Sequence, residues 1–177
     1  MNNPSATANS ITADGFFKTG DIAVRDADGC YSIVDRKKEL IKYKVRRFHI
    51  KASSAHFCSQ GYQIAPADLE AILCSHPEIL DAGVIGVFSP REETEIPRAY
   101  VVVHPAAAPR LRTAEDRTKF AADVGEWVAT KVAPYKRLRG GVILVDAVPR
   151  SLAGKILRRV LREMAAKEDA QLVQAKL

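Results

Sequence analysis

Apolar positions along this chain fall into short runs with two different spacings, and the changes of spacing mark out its elements. Asp21 to Val24 and Tyr31 to Val34 are apolar-rich arms around Asp26-Ala27-Asp28-Gly29, a strong hairpin turn signal. Ala65 to Leu73 reads as a helix, with Pro66 near its first position and acidic residues in its first turn. Gly83 to Val87 and Ala99 to Val103 are β-branched runs that suit buried strands. Pro105 to Arg112 is a Pro/Ala-rich connection, and Ala114 to Thr130 follows as an amphipathic helix with Phe120, Val124, Trp127 and Val128 on one face. Val142 to Val145 predicts a further strand. Ile156 to Ala166 predicts a last helix, with Ile156, Val160 and Met164 four residues apart. The fold class is therefore α+β: a small mixed sheet with packed helices, preceded by a β-hairpin and free of internal repeats.

Composition and charge narrow the picture. At 177 residues, 47% hydrophobic and 27% charged, the chain can bury one real core. It has no apolar run near the roughly 20 residues that cross a bilayer. MNNPSATANS lacks the basic-then-apolar layout of a secretory signal. Cys30, Cys58 and Cys74 are an odd, scattered set that fits a reducing compartment better than a disulfide framework. The net charge of +6 is concentrated: Asp35–Lys51 holds eight basic and two acidic residues, and Lys131–Arg159 eight basic and one acidic. Neither block carries a nucleic-acid reading motif, so nucleic acid is not the expected partner. The blocks read either as a solvated face or as a cradle for a small polyanion such as ATP or CoA.

Candidate chemistry lies in two strings. The first is Gly15 to Lys44, GFFKTGDIAVRDADGCYSIVDRKKELIKYK. The second, Pro149-Arg150-Ser151-Leu152-Ala153-Gly154-Lys155, ends just before the last predicted helix. Gly154 lets the backbone approach a ligand closely, and the loop carries Lys155 outward. A Walker phosphate loop is excluded, because Ile156 follows Gly154-Lys155 and the first glycine is missing. A fixed cation suits a reaction that builds negative charge, since it stabilises the transition state more than the ground state. The plain alternative is an exposed lysine at a helix start.

Together these strings resemble the hinge and closing motif of adenylate-forming enzymes, the acyl- and aryl-CoA ligases and luciferases. Lys38-Glu39-Leu40-Ile41-Lys42-Tyr43-Lys44 and Gly61-Tyr62-Gln63-Ile64-Ala65-Pro66 follow the coumarate–CoA ligase and luciferase branch. The resemblance covers Asn2 to about Glu163. It implies activation of a small carboxylate by ATP, with Mg2+ in the complete enzyme, to an acyl-adenylate, and then transfer to CoA. It makes Lys155 the catalytic contact to the α-phosphate and the substrate carboxylate. It assigns Asp21 to the ribose hydroxyls, Arg36 to ribose or phosphate, and Lys38 and Lys42 to the nucleotide; these two, four apart, could share one face if the segment is helical. Gln63 would lie beside the adenylate, and Lys44 and Gly61 would line the CoA channel. Asp35 would be the hinge whose rotation swings the lid between the two half-reactions. On this reading residues 1–34 are the end of a large ATP-binding domain, and residues 35–177 are the lid.

Two departures shape the expectation. The chain starts just before the hinge, so the phosphate loop, adenine pocket and acyl pocket are expected elsewhere. The acid is then unreadable, and adenylation by these residues alone is not expected. Sixteen residues, Val45 to Gln60, also separate Lys44 from Gly61, which are adjacent in the family. Their 16 × 3 = 48 nucleotides are in frame, and Val45, Arg46 and Gln60 can be encoded by GTN, AGR and CAG, the ends of a spliceosomal intron. A retained intron is the expectation, and a real surface loop, cheap in closure entropy, is the alternative. A metal site of His49, His56 and Cys58 is rejected, because the spacing matches no zinc pattern and a ligand is lacking. The insert is expected to impair thioester formation. The final Ala175-Lys176-Leu177 is a variant of a peroxisomal address, which implies an import receptor as partner; the cytoplasm is the alternative location. The competing functional class is a stand-alone, non-catalytic module that binds nucleotides or a partner.

Overall fold

The computed structural model describes the backbone of residues 3–44 and 61–174 and the side chains of these up to residue 171. The insert 45–60, with His49, His56 and Cys58, and the tail 175–177 lie outside the described residues. The chain divides into two compact units, Met1–Glu39 and Leu40–Leu177.

In the first unit, helix α1 (Pro4–Ser10) starts with Pro4, and the Asn3 side chain accepts the Ala6 N–H at 3.0 Å. Strands β1 (Asp21–Arg25) and β2 (Tyr31–Arg36) then pair antiparallel. Their turn closes as its sequence predicts: Gly29 takes φ +88°, and the Cys30 N–H donates to Asp26 Oδ1 at 2.8 Å. Ile22 opposes Asp35 while Ala23 opposes Ile33, so Val34 is an extra residue that bends β2 just before Asp35.

The second unit is built on a three-stranded mixed sheet. Strands β5 (Ile79–Ser89) and β6 (Thr94–Val103) form a long antiparallel hairpin, and β7 (Val142–Leu144) runs parallel beside β6. The β6–β7 crossover carries helix α3 (Ala114–Ala129), as a parallel connection requires. Thr113 and Asp116 cap that helix reciprocally. A two-stranded ladder of β3 (Ile41–Tyr43) and β4 (Tyr62–Ile64) leads into helix α2 (Pro66–Cys74), and α4 (Arg158–Gln174) packs on β5. Leu69 and Leu73 of α2, Val84 and Ile85 of β5, Val124 and Val128 of α3 and Leu161 of α4 meet in one fully buried core. Each such side chain contributes about 1.5–3 kcal/mol of burial.

Polar bonds fix where α4 lies. Its Arg158 donates from Nη2 to both carboxylate oxygens of Glu70 of α2 at 2.9 Å, and Val84 N–H donates to Glu70 Oε1 at 2.9 Å. Further along, Tyr100 donates its hydroxyl to Glu168 at 3.0 Å, and Arg98 donates to Asp169 at 2.9 Å.

Three expectations are revised. The strands are longer than their apolar centres, because Asp81, Thr94 and Glu95 belong to the ladder although they are polar. The last helix begins at Arg158, because Ile156 is held extended in a bridge with Arg150 and Leu157 N–H turns back to Pro149 O at 2.8 Å. Its buried face is accordingly Leu161 and Ala165, with Val160 and Met164 only partly covered. Lys38 and Lys42 do not share a helix: Lys38 is in a turn and Lys42 is in β3, where Ile41 and Tyr43 point into the core.

Candidate functional site

The sequence-predicted residues fall into three groups, the first of them within the Met1–Glu39 unit. Gly20, at φ +77°, sets up the turn before β1 and its carbonyl accepts Lys37 N–H at 2.8 Å. Asp21 and Arg36 are register partners at the open end of the hairpin, 3.4 Å apart from Oδ1 to Nε. A carboxylate and a guanidinium so paired offer acceptors and donors side by side, which suits a ligand with hydroxyls and phosphates. Asp35 accepts the N–H of Arg36 at 2.6 Å. Lys38 is exposed in the turn that follows.

The second group is the β3–β4 ladder. Lys42 and Gln63 are register partners, both exposed on the outer face, so the sequence string and the ladder bring them together. Lys44 follows β3 in the left-handed region at φ +52°, and Gly61 stands just before β4. The Lys44 ammonium lies over the Tyr43 ring, 5.4 Å from its centroid. The backbone here is held from β6. Lys42 N–H donates to Glu95 Oε2 at 2.8 Å, and Lys44 N–H donates to Thr94 Oγ1 at 2.6 Å. Thr94 in turn donates its hydroxyl to Lys42 O at 3.0 Å. Sequence reasoning missed Thr94 and Glu95, which stand some fifty residues away; two polar residues opening a strand were their only signal.

The third group is Lys155, exposed on the loop between β7 and α4. Gly154 takes φ +76° and its N–H donates to Ser151 O at 2.8 Å. Ser151 N–H donates to Lys155 O at 2.8 Å, and Lys155 N–H reaches Ser151 Oγ at 3.2 Å. These bonds close a tight turn whose tip, Leu152, is fully exposed.

The second and third groups sit at opposite ends of one hairpin. Thr94 pairs with Ser89 at the far end of β5, whereas the Lys155 loop is tied to Asp81 near its start. Eight strand residues at about 3.3 Å each separate these anchors by about 26 Å. Among the described residues, no cluster of His, Cys, Asp and Glu is arranged to hold a metal ion.

Comparison with known proteins fits this geometry. The AMP-binding enzyme C-terminal domain family matches residues 68–155. A putative acyl-coenzyme A synthetase of Emericella nidulans is 41% identical over 92% of the chain and 25% of its own length. The 4-coumarate–CoA ligase-like protein 6 of Arabidopsis thaliana is 44% identical over 93% of the chain and 24% of its own length. The ATP-bound structure of MatB from Rhodopseudomonas palustris superposes with a TM-score of 0.69 at 27% identity, over 92% of this chain and 27% of that one. The chain thus spans about a quarter of the length of the curated relatives it matches. With its mixed sheet and its exposed Gly-Lys loop, the chain belongs to the AMP-binding enzyme C-terminal domain family, the small domain of adenylate-forming acyl- and aryl-CoA ligases.

Proposed function

We propose that this chain supplies the mobile small domain of an ATP-dependent ligase that turns a carboxylate into an acyl-adenylate and then into a CoA thioester. The observation that carries the reading is the placement of two lysine groups at opposite ends of one hairpin, on strand anchors about 26 Å apart. Groups so far apart on one rigid element serve two reactions at a single site only if the element turns over between them. Asp35, beside the β2 bulge and four residues before the boundary between the compact units, is the residue proposed to turn.

In the adenylation half, the carboxylate oxygen attacks the α-phosphorus and pyrophosphate leaves with the bonding pair. Negative charge grows at the α-phosphate. Lys155, held out on its turn, stabilises that charge as it develops. Asp21, Arg36 and Lys38 bind and orient the nucleotide in this half, whereas Lys42 and Gln63, on the ladder at the other end of the hairpin, meet the adenylate in the thioester half. In the thioester half, the CoA thiolate attacks the acyl carbon and AMP departs. Lys44 and Gly61 then flank the path by which CoA arrives. Among the described residues no group of three His, Cys, Asp or Glu side chains could hold a Mg2+ ion. The Ala175–Leu177 tail supports delivery of the enzyme to peroxisomes.

The test joins residues 1–177 to the remainder of the Emericella nidulans relative, of which the chain matches 25%. Carboxylate-dependent ATP–pyrophosphate exchange is then measured. K155A is expected to lower exchange about 10²–10³-fold, while thioester formation from pre-made acyl-adenylate survives. Equal exchange by K155A and the parent graft would remove the basis of the reading.

A further inference from the structure

Asp81 is the one charged residue of β5. The strand reaches it through a bulge: Ile79 opposes Val103 and Asp81 opposes Val102, so Leu80 is the extra residue and turns outward at 57% exposure. Its backbone neighbour Ala82 donates to Asp81 Oδ1 at 2.9 Å, which fixes the carboxylate. The Arg150 guanidinium then meets it as a fork. Nη2 donates to Oδ1 at 2.6 Å and Nε donates to Oδ2 at 3.1 Å. The remaining nitrogen, Nη1, donates to the carbonyl of Gly154 at 2.7 Å. Gly154 is the residue before Lys155.

The bonds inside the turn, from Ser151 to Gly154 and Lys155, close it upon itself, and the Arg150–Ile156 bridge closes its stem. Arg150 ties that turn to the sheet. We infer that Arg150 and Asp81 are positioning residues for Lys155, setting the Gly154 carbonyl, and with it the lysine backbone, at a fixed distance from β5. The inference rests on the role proposed above for Lys155, and gives that role its geometric support. A side chain that must meet a developing charge loses its effect when displaced by about 1 Å, so an exposed turn needs such an anchor. The bond to Asp81 also raises the Arg150 pKa above its ordinary value. Neither residue touches the reacting atoms. Arg150 lies inside the closing string that carries the resemblance, but no role is assigned to it there, and Asp81 lies outside both strings.

The 177-residue chain itself serves for the test, with amide hydrogen exchange followed by 1H–15N spectroscopy. R150A and D81N are each expected to speed exchange of the Gly154 and Lys155 amides about tenfold. R150K, which keeps the charge and loses the fork, is expected to recover part of that protection, while Val84 and Val101 in the sheet stay unchanged. D81N preserves side-chain volume and gives the reading even if R150A fails to fold. Gly154 and Lys155 amides within about twofold of wild type in the folded variants would overturn the inference. So would a loss of protection spread equally over β5 and β6, which marks an ordinary structural bond. The K155A exchange assay reports on Lys155 alone, so the two readings fail separately.

Discussion

Thr94 is a polar side chain buried to 6% exposure, and its hydroxyl explains the backbone of Lys44. One oxygen accepts Lys44 N–H and donates to Lys42 O, which holds Lys44 in a region that costs a non-glycine residue about 1–3 kcal/mol. T94V keeps the shape and strands both backbone groups. It is expected to lower unfolding free energy by about 2 kcal/mol in urea titration, and T94S by much less. Tyr100 gives a second expectation at this scale. Burial, and then the Glu168 carboxylate, push its pKa up to about 12. Its neutral form is favoured in the fold, so that contribution is complete below the unfolded value near 10 and is lost as pH rises from there to about 12. The wild type is expected to lose about 2 kcal/mol across that window, and Y100F correspondingly less. Denaturant midpoints at successive alkaline pH values decide it.

At the scale of elements, the approach of β5 to α4 depends on Gly83. A Cβ there would meet Leu161 Cδ1 at 2.9 Å and Val148 Cγ1 at 3.1 Å. G83A is expected to cost about 1–3 kcal/mol in thermal or chemical unfolding. It should also shift the Gly154 and Lys155 amide resonances, because Val148 leads into their loop. The same elements show how far a sequence can be read. The β1–β2 hairpin, α2, α3 and the centres of β5, β6 and β7 were legible, because each carries its own turn, cap or apolar period. The start of α4 was not: Ile156 fits the helical spacing, but a bridge to Arg150 claims it first. The three-residue strands β3 and β4 were missed, since Lys42 and Gln63 hide so short an alternation and the ladder exists only once Thr94 and Glu95 supply its bonds. Motif residues were legible as types, whereas their supports, Asp81 and Thr94, are long-range partners that no local pattern encodes.

At the scale of the molecule, the insert 45–60 follows Lys44, at the end of the hairpin remote from Asp81. Removing it from the graft is expected to raise CoA thioester formation at least about tenfold and leave pyrophosphate exchange within about twofold. Equal gains in both reactions would place the insert in some other role. The peroxisomal proposal has its own readout. A fluorescent protein ending in residues 168–177 is expected to collect in peroxisomes, and removal of Leu177 to leave it in the cytosol.

The double-ended hairpin has a historical consequence. Asp81 and Thr94 are too far apart to share neighbours, so substitutions around one leave the other untouched. On the function proposed above, a descendant could shed thiol chemistry and keep acid activation, or keep transfer and shed activation, through changes in a handful of residues. Divergence of partial enzymes from a common ancestor then requires no new fold, only erosion at one extremity of a strand pair.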